Sequence, residues 1–303
     1  NVRQPKGGLI LVPEKPEDYI LGSNDPKNLG QVINESRDWT KFLPPIVEIQ
    51  RLLSPDPVTG EVDSYWCTIF SDNEIDETIN NKKYPGSQID ISEKFVAIGT
   101  NTQRGVGNSM SAAPEFKRKK GILFENEKPF NRSGTMDEAY SPNTDEDYEL
   151  AKTRLDLYNF GYLGTGGSSQ RAILDALKVS PVKVAVQGNY SFDSNNRMVN
   201  NGTDYTHAVF IFNAVLDANG YVTEYHIRDS EGAQYLRFRG DYSFQSPLVK
   251  FFEKRPLLYK KKLQSAIGLY VPEAGGIILY TDGKTNNGKI VTGGGLFKAN
   301  GWT

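Results

Sequence analysis

The chain contains one cysteine and two histidines, so few side chains could carry nucleophilic or proton-transfer chemistry. Cys67 lies in the stretch "SYWCTIFS", where loop changes to a predicted helix that runs to about Lys82. The free N–H groups and the dipole of a first helical turn favour a thiolate, which is the nucleophilic form of cysteine. The opposite interpretation is a buried cysteine that serves as a small apolar residue. By position alone, Cys67 is therefore a candidate nucleophile.

The elements around this cysteine are predicted as helices first and strands later. In the first predicted helix, Phe70, Ile75 and Ile79 lie roughly on one side, and the run "SDNEIDETINN" supplies a polar face. Further helices are predicted over 111–120 and 168–180. Four strands separated by turns follow, namely "VKVAVQG", "THAVFIFNAVLD", "YVTEYHIRDS" and "QYLRFRG". This order is typical of an α+β fold.

Composition limits the classes of partner. The chain has 303 residues, 38% hydrophobic and 24% charged, which is typical of a soluble globular protein. A net charge of -2 gives no electrostatic reason to expect nucleic acid or an anionic membrane as partner. No apolar stretch approaches ~20 residues, and the short basic run "FKRKKG" is predicted to be a solvated helix end. A single cysteine excludes an internal disulfide and a cysteine-rich zinc site, and no cofactor is expected.

Six segments resemble landmarks of the papain-like (cathepsin-like) cysteine peptidases, in the order in which that family has them. "CTIFS" is similar to the Cys-Trp-Ala-Phe-Ser that opens the family's central helix. The other five segments are "DISEKF", "GVGNSMSAAPEFKRKKGILFENEKPF", "ALKVSPVKVAVQG", "YTHAVFIFNAV" and "YHIRDSEGAQYLRFRG". The resemblance runs from about Leu43 to Asp241. Their shared order carries the resemblance more than any one segment does.

This resemblance implies a papain-like α+β fold with two lobes. A helical lobe at about 43–130 would carry the cysteine on a central helix, and an antiparallel β lobe would span about 150–255. The acidic, turn-rich segment 131–149 would link them. The expected boundaries are 1–42 for an extended N-terminal arm, 43–255 for the papain-like catalytic domain, and 256–303 for a C-terminal extension with a β-hairpin around the "NNG" turn. The chain begins with Asn rather than Met, which favours a processed or trimmed product.

The resemblance also implies roles for the site residues. In this family a thiolate attacks the scissile carbonyl, a histidine carries the proton, and a third side chain fixes the imidazole tautomer. The matching positions imply Cys67 as nucleophile, His207 as acid and base, and Asp229 as the orienting residue where the family has Asn. His226 lies within "TEYHIRD" and is expected to be a half-buried or exposed sheet residue.

The side chain that would donate a hydrogen bond to the oxyanion has two candidate positions. The family has a Gln six residues before the cysteine, and that position is Glu61 here, whose charge would repel an oxyanion. However, "VEIQ", ending at Gln50, is similar to the family's Val-Lys-Asn-Gln, with about eleven residues inserted before Cys67. Gln50 is therefore the predicted donor, with Glu61 as the open alternative.

Two further positions depart from the family. Glu231 replaces the Trp that shields the orienting hydrogen bond from water, so this bond is expected to be weakened by exposure. Gly107 and Asn108 match the glycine-rich strand along which the family's substrate lies, and Trp66 is a further predicted substrate contact. Asn at the second position narrows the approach to this strand.

These features predict a cysteine endopeptidase that acts on polypeptides through a Cys67 acyl-enzyme. One alternative keeps the dyad but acts on other amides, such as cell-wall peptides, or transfers an acyl group to an amine. A second alternative is a catalytically weakened structural component of a larger assembly, such as a virus particle. The N-terminal arm or residues 256–303 would then contact an assembly partner. A secreted protein or part of a larger particle is the favoured location.

Overall fold

The structure is a computed structural model that describes residues 8–10, 20–21, 32–45, 47–86, 88–154, 158–163, 169–232, 235–252, 269–271 and 276–278. The helices are α1 (Cys67–Lys83), α2 (Glu93–Gly99), α3 (Ala112–Lys120), α4 (Met136–Ala139), α5 (Asp145–Ala151) and α6 (Gln170–Ala176), after a 3-10 turn at Thr40–Phe42. The strands are β1 (Gly8–Leu9), β2 (Ile20–Leu21), β3 (Gly107–Asn108), β4 (Tyr158–Leu163), β5 (Val182–Val186), β6 (Ser191–Phe192), β7 (Met198–Val199), β8 (His207–Leu216), β9 (Val222–Arg228), β10 (Leu236–Arg239), β11 (Gln245–Phe252), β12 (Leu269–Val271) and β13 (Gly276–Ile278). Within these ranges, none of the helices has the length and apolar character needed to cross a membrane.

Parts of the predicted ends cannot be compared with the structure. Strands β12 and β13 pair antiparallel within the expected C-terminal extension. The hairpin predicted around the "NNG" turn at 286–288 lies outside the described residues, as does much of the arm expected at 1–42.

Eight strands of the second half, together with β2 from near the N-terminus, form a nine-stranded sheet in the order β2-β4-β11-β5-β8-β9-β10-β7-β6. Strands β5, β8 and β9 pair antiparallel, with Val186 opposite His207 and Phe210 opposite Arg228. Their Val, Ile and Phe side chains suit a pleated surface and form much of the core on this side. In an antiparallel pair, the start of one strand lies beside the end of the other. The register therefore places His207 and Asp229 at the same end of the sheet.

Helix α1 is buried along nearly its whole length, including the face that the sequence predicts to be polar. Every residue from Cys67 to Asn80 is buried. Ile75 and Ile79 pack into the core on the sheet side, whereas Phe70 packs with the core around α2 and α3. The apolar positions thus point in two directions. Because the polar positions between them are also inside the protein, they need charged or hydrogen-bonding partners there.

Two aspartates of α1 are paired with buried lysines from three other elements. Lys117 of α3 lies 2.8 Å from Asp72 and also contacts Asp76. Lys250 of β11 lies 3.0 Å from Asp72 and 2.9 Å from Asp76. Lys183 of β5 lies 3.5 Å from Asp72. These five residues, called the α1 charge cluster, join the helix to the sheet. Lys119 and Lys120 are exposed at the end of α3, as predicted for the basic run, whereas the burial of Lys117 corrects that prediction at one position.

A second set of side chains, three of them buried and two half-buried, is acidic. Its members are Glu48, Glu74, Glu77, Glu93 and Glu125. Burial raises the pKa of Glu48 to about 7, and the pKa values of Glu74 and Glu125 to about 8. Burial also raises the pKa values of Glu77 and Glu93 well above their ordinary value. Arg228 lies 2.7 Å from Glu74 and opposes only part of this effect. This set, called the carboxyl cluster, therefore holds protons near neutral pH.

The segment 131–149, predicted as a turn-rich link, contains α4 and the start of α5. Each helix begins with a capping box, in which a threonine and an acidic residue three positions later bond each other's backbone N–H. Thr135 with Glu138, and Thr144 with Asp147, form these boxes. The other predicted helices are confirmed as α1, α3 and a shortened α6.

The carboxyl cluster predicts that the protein loses stability as pH rises from about 4.5 to about 8. A glutamate whose pKa is raised by folding binds its proton more tightly in the folded state, so stability falls as pH rises. The loss extends from the ordinary value of 4.5 up to about 8, the value for Glu74 and Glu125. We expect the melting temperature, measured by calorimetry, to fall by several degrees across this range. In a domain of this size, about 1 kcal/mol corresponds to roughly 2–4 °C.

Glu125→Gln should reduce this pH dependence, because an amide keeps an acceptor for the Phe130 N–H that Glu125 binds at 2.5 Å. Glu149→Gln is the matched control, since Glu149 is exposed on α5. A melting temperature that rises from acid to pH 8 in the unmodified protein would contradict this account of the carboxyl cluster.

Candidate active site

Cys67 is the first residue of α1, and its thiol touches the sheet. The Cys67 Sγ accepts a hydrogen bond of 3.4 Å from the backbone N–H of Ala208. Ala208 directly follows His207 in β8, so the helix and the strand meet at this pair of residues. The side chain of Cys67 is fully buried in the structure. Cys67 and His207, predicted as partners from the sequence, are therefore brought to the same junction.

His207 is held by Asp229 through one ring nitrogen. The distance between His207 Nε2 and Asp229 Oδ1 is 2.8 Å. A carboxylate only accepts hydrogen bonds, so this contact assigns the ring proton of a neutral imidazole to Nε2. Nδ1 is buried and has no hydrogen-bond partner among the residues that the structure describes. The ring nitrogen with the available lone pair is therefore Nδ1.

Tyr190 completes the surroundings of this pair and was not among the residues predicted from the sequence. Its hydroxyl donates to Asp229 Oδ2 at 3.0 Å, and its ring centroid lies 6.4 Å from that of His207. Burial and the charge of Asp229 raise the pKa of Tyr190 well above its ordinary value, so the phenol keeps its proton. Tyr190 lies between strands in "GNYSF" and matches no motif, so only the folded chain reveals it.

The bond between His207 and Asp229 is shielded from water, which corrects the expectation drawn from Glu231. The two side chains are 0% and 2% exposed. Glu231 contributes its backbone N–H, which donates to Asp229 Oδ1 at 3.0 Å. The ring of Tyr190 lies beside the pair where the sequence offers no tryptophan. Tyr190 thus covers the His207–Asp229 bond in place of the tryptophan that this chain lacks at position 231.

Gln50 lies at the same end of the site despite the insertion that follows it. The insertion folds back on itself, with Leu52 N–H bonded to the carbonyl of Val62 at 2.8 Å. Gln50 N–H bonds the carbonyl of Ser230 at 2.9 Å, and the Ser230 hydroxyl donates to Gln50 Oε1 at 2.8 Å. These contacts carry Gln50 back beside the loop that leads into Cys67.

The amide of Gln50 is already engaged in this structure. Its Nε2 donates to Asp63 Oδ1 at 2.7 Å and to Glu231 Oε1 at 2.8 Å. Glu61, the alternative candidate, is bonded instead to Arg104 at 2.7 Å and is partly exposed. Of Gln50 and Glu61, Gln50 is the residue that contacts Ser230 and Glu231, next to Asp229. Asp63 and Ser230 fix its amide and were not among the predicted site residues, because contacts between Gln50 and residues 13 and 180 positions away arise only in the folded chain.

The environment of the thiol favours its neutral form in this closed structure. Burial is the largest effect and raises the pKa of Cys67 above its ordinary value. Asp63 and Glu231 raise that pKa further, whereas the Ala208 N–H and the ammonium of Lys183 lower it. The predicted benefit of the first helical turn is thus outweighed by burial here.

The predicted substrate strand is paired with the chain's own N-terminal segment. Strand β1 pairs with β3, with Gly8 opposite Gly107 and Leu9 opposite Asn108. On the other side, Leu9 N–H bonds the carbonyl of Thr206 at 3.1 Å, immediately before His207. The segment therefore bridges the helical half and the sheet across the site. The side chain of Asn108 is turned to Thr100 and Thr102 and does not block this pairing.

Gly8 lies directly against the thiol. A Cβ at Gly8 would lie 3.0 Å from Cys67 Sγ and 2.7 Å from the carbonyl oxygen of Tyr65. The φ of Gly8 is +118°, in the region that favours glycine. Only a residue without a side chain fits here, so residues 8–10 fill the space next to Cys67.

Two remaining predicted residues lie elsewhere. Trp66 is fully buried between Phe130 and Tyr140, with ring centroids 4.9 and 5.4 Å away. Trp66 is therefore a core residue of the helical half, and the prediction that it contacts substrate is wrong. His226 is half-buried in β9 and bonds Glu224 at 2.9 Å, away from the thiol. In the described ranges, no group of three or more His, Cys, Asp or Glu side chains could hold a metal ion.

Comparisons with known proteins identify the fold. No protein-family model matches the chain, and no curated protein matches it by sequence. Xylellain, a cysteine protease from Xylella fastidiosa, is 15% identical with a TM-score of 0.56, covering 84% of this chain and 98% of xylellain. A recombinant stem bromelain precursor is 18% identical with a TM-score of 0.56, covering 82% of this chain and 78% of that one.

The proform of the Amb a 11 cysteine protease of ragweed pollen is 18% identical with a TM-score of 0.50, covering 72% of this chain. This chain spans 66% of that proform, just under two thirds of its length. At these identities the structural likeness shows the fold alone. The mixed α+β prediction and the resemblance are confirmed at that level. The chain has the fold of the papain-like cysteine proteases, with a divergent sequence.

Proposed function

We propose that the protein is a cysteine peptidase that hydrolyses peptide bonds through a Cys67 acyl-enzyme. The observation that supports this most is the state of His207. Its Nε2 is fixed by Asp229 in a buried site, while its Nδ1 has no hydrogen-bond partner among the described residues. The next residue, Ala208, donates its backbone N–H to the thiol of Cys67. An imidazole in this tautomer is a base directed away from its orienting carboxylate, as acyl transfer requires.

The reaction follows from these positions. The thiol proton passes to His207 Nδ1, and Sγ attacks the scissile carbonyl carbon to form a C–S bond. The C–N bond then breaks, and the leaving amine takes the proton from His207. Water attacks the thioester with His207 as base, which releases the acid and restores the thiol. Asp229 stabilises the imidazolium in each step without taking a proton itself.

Stabilisation of the oxyanion would fall to the backbone N–H of Cys67 and the amide of Gln50. Both N–H bonds of Gln50 currently point to the carboxylates of Asp63 and Glu231. A substrate carbonyl must therefore compete for one of them, and nearby negative charge opposes the oxyanion. We infer that turnover is slower than a site with a free amide would allow.

The substrate class is inferred from the strand at the cleft. Gly107 and Asn108 already form backbone pairing with an extended segment of this chain, Gly8–Leu9. Extended polypeptides bind exposed strands through such pairing with little dependence on side chains. Polypeptides are therefore the substrates that fit best, and cell-wall peptides are the alternative for a direct comparison.

Residues 8–10 would have to leave for any substrate to reach the thiol. They hydrogen-bond to both sides of the cleft and leave Cys67 with no exposed surface. Two of the matched structures are a precursor and a proform, which is consistent with a peptidase in its closed state. The same closure would also suit the second candidate, a papain-like structural component. Measured turnover decides between them.

The orienting pair predicts a specific ranking of variants. Replacing His207 with Gln should remove hydrolysis of an unfolded protein substrate, and Asp229→Ala should lower kcat by about 10³-fold or more because the tautomer is lost. Asp229→Asn should retain more activity, since an amide oxygen can still accept from Nε2. Tyr190→Phe should have a small effect on kcat.

His226→Gln is the matched control, because it removes the other histidine of the chain without touching the site. A loss of activity in that variant equal to the loss in His207→Gln would contradict the assigned roles. Absence of turnover in the unmodified protein, with its cleft opened, would favour the structural alternative.

Gln50 and Glu61 can be separated by single changes. We expect Gln50→Ala to lower kcat by roughly 10²-fold, the typical effect of removing one oxyanion donor. Glu61→Ala should change kcat little, because Glu61 pairs with Arg104 outside the site. The measurement is steady-state hydrolysis of one fluorogenic peptide. Equal losses, or a larger loss in Glu61→Ala, would show that the donor is misassigned.

Because residues 8–10 cover the thiol, a larger side chain at position 8 should make Cys67 react faster with an alkylating reagent. In Gly8→Val the added atoms would meet Cys67 Sγ and the Tyr65 carbonyl, so the segment should be displaced. Alkylation of Cys67 by iodoacetamide should then become at least about tenfold faster. Gly202→Ala is the control, since a Cβ there meets nothing within 4 Å. An unchanged alkylation rate in Gly8→Val would mean that residues 8–10 do not limit access to the thiol.

A further inference from the structure

The α1 charge cluster contains more positive than negative side chains. Among the described residues, three lysines surround two aspartates, so ordinary ionisation leaves one positive charge in excess. Burial opposes the ionisation of Asp72. The three lysines together outweigh this effect and hold the pKa of Asp72 below its ordinary value. All three lysine side chains are fully buried. An uncompensated ammonium in the interior is costly, so its partner is worth identifying.

Lys183 is the lysine least committed to the aspartates. Lys117 and Lys250 each contact both Asp72 and Asp76, at 3.0 Å or less. Lys183 lies 3.5 Å from Asp72 and directs its hydrogen bonds elsewhere. Its Nζ donates to the carbonyl of Thr68 at 2.7 Å and to the carbonyl of Met110 at 2.8 Å. Removing Lys183 would leave two lysines for two aspartates, which is a balanced set.

The hydrogen bond to Thr68 places Lys183 under the first turn of α1. Thr68 is the residue after Cys67 and both are buried, so the ammonium of Lys183 lies beside the first turn of α1 inside the protein. The carboxylates that act on Cys67 are Asp63 and Glu231, and both disfavour a thiolate. The ammonium of Lys183 opposes them and lowers the pKa of Cys67.

We propose that Lys183 is a positioning residue for the nucleophile, a buried ammonium that stabilises the anionic form of Cys67 from beneath the first helical turn. The inference rests on the proposed function, because a thiolate is needed only if Cys67 reacts. It explains why the cluster holds a third lysine and why that lysine bonds Thr68 and Met110. Burial lowers the pKa of Lys183 to about 8, so Lys183 stays largely charged at neutral pH.

The test uses the single cysteine as its own probe. In the Gly8→Val protein, whose thiol is no longer covered by residues 8–10, 13C at the cysteine Cβ gives one resonance that reports the titration of Cys67. Lys183→Gln can still donate to a carbonyl but lacks the charge, and we expect it to raise the midpoint by about one pH unit. Lys183→Met lacks both functions and should raise the midpoint by at least as much. Lys250→Gln is the matched control, because it removes a buried lysine of the same cluster whose ammonium pairs closely with Asp72 and Asp76.

The inference is overturned if Lys183→Gln leaves the midpoint unchanged, or if Lys250→Gln moves it equally. Should the Lys183 variants not fold, the reciprocal measurement compares the Gly8→Val protein with and without Cys67→Ser. Loss of the thiolate should then lower the pKa of Lys183, followed through its 15N-labelled ammonium. Failure of the proposed function is distinguishable, because a protein without turnover can still show the Lys183-dependent midpoint. A protein with turnover and no such dependence refutes Lys183 alone.

Discussion

Burial of α1 between the sheet and the other helices is the constraint on which the rest of the structure depends. This helix carries the thiol at its first residue, so its position against β8 decides whether Cys67 can meet His207. Its apolar residues face two separate cores, and its aspartates are held by lysines from α3, β5 and β11. Charges inside a protein are tolerated only when they are paired, so these contacts also fix the direction of the helix.

The site combines groups from distant parts of the chain, each fixed by backbone geometry. Register of β8 with β9 brings His207 and Asp229 together, and the folded-back insertion returns Gln50 to the same end. Two carboxylates, those of Asp63 and Glu231, lie against the amide of Gln50. Positive charge lies under the helix, at Lys183. The chemistry of the thiol is set by the balance of these charges and by whether residues 8–10 cover it.

The sequence predicted the elements that follow local rules. The helix after Cys67, the strands of the second half and the place of Asp229 come from periodicity and from segments in a known order. It did not predict that the polar side of α1 is buried, because the lysines that pair with Asp72 are far away in the chain. Tyr190 was missed for the same reason. Trp66 was assigned to the cleft from its neighbour Cys67, but its ring packs on Phe130 in the core.

The central claim is that the sulfur of Cys67 loses its proton to Nδ1 of His207. Labelling histidine with 15N gives two imidazole groups in this chain, and His226→Gln assigns them. In the Gly8→Val protein the account predicts a proton on His207 Nε2 throughout. It also predicts a pKa of Nδ1 that falls when Cys67→Ser removes the thiolate. An Nδ1 titration that is the same with sulfur and with oxygen at position 67 would contradict the account.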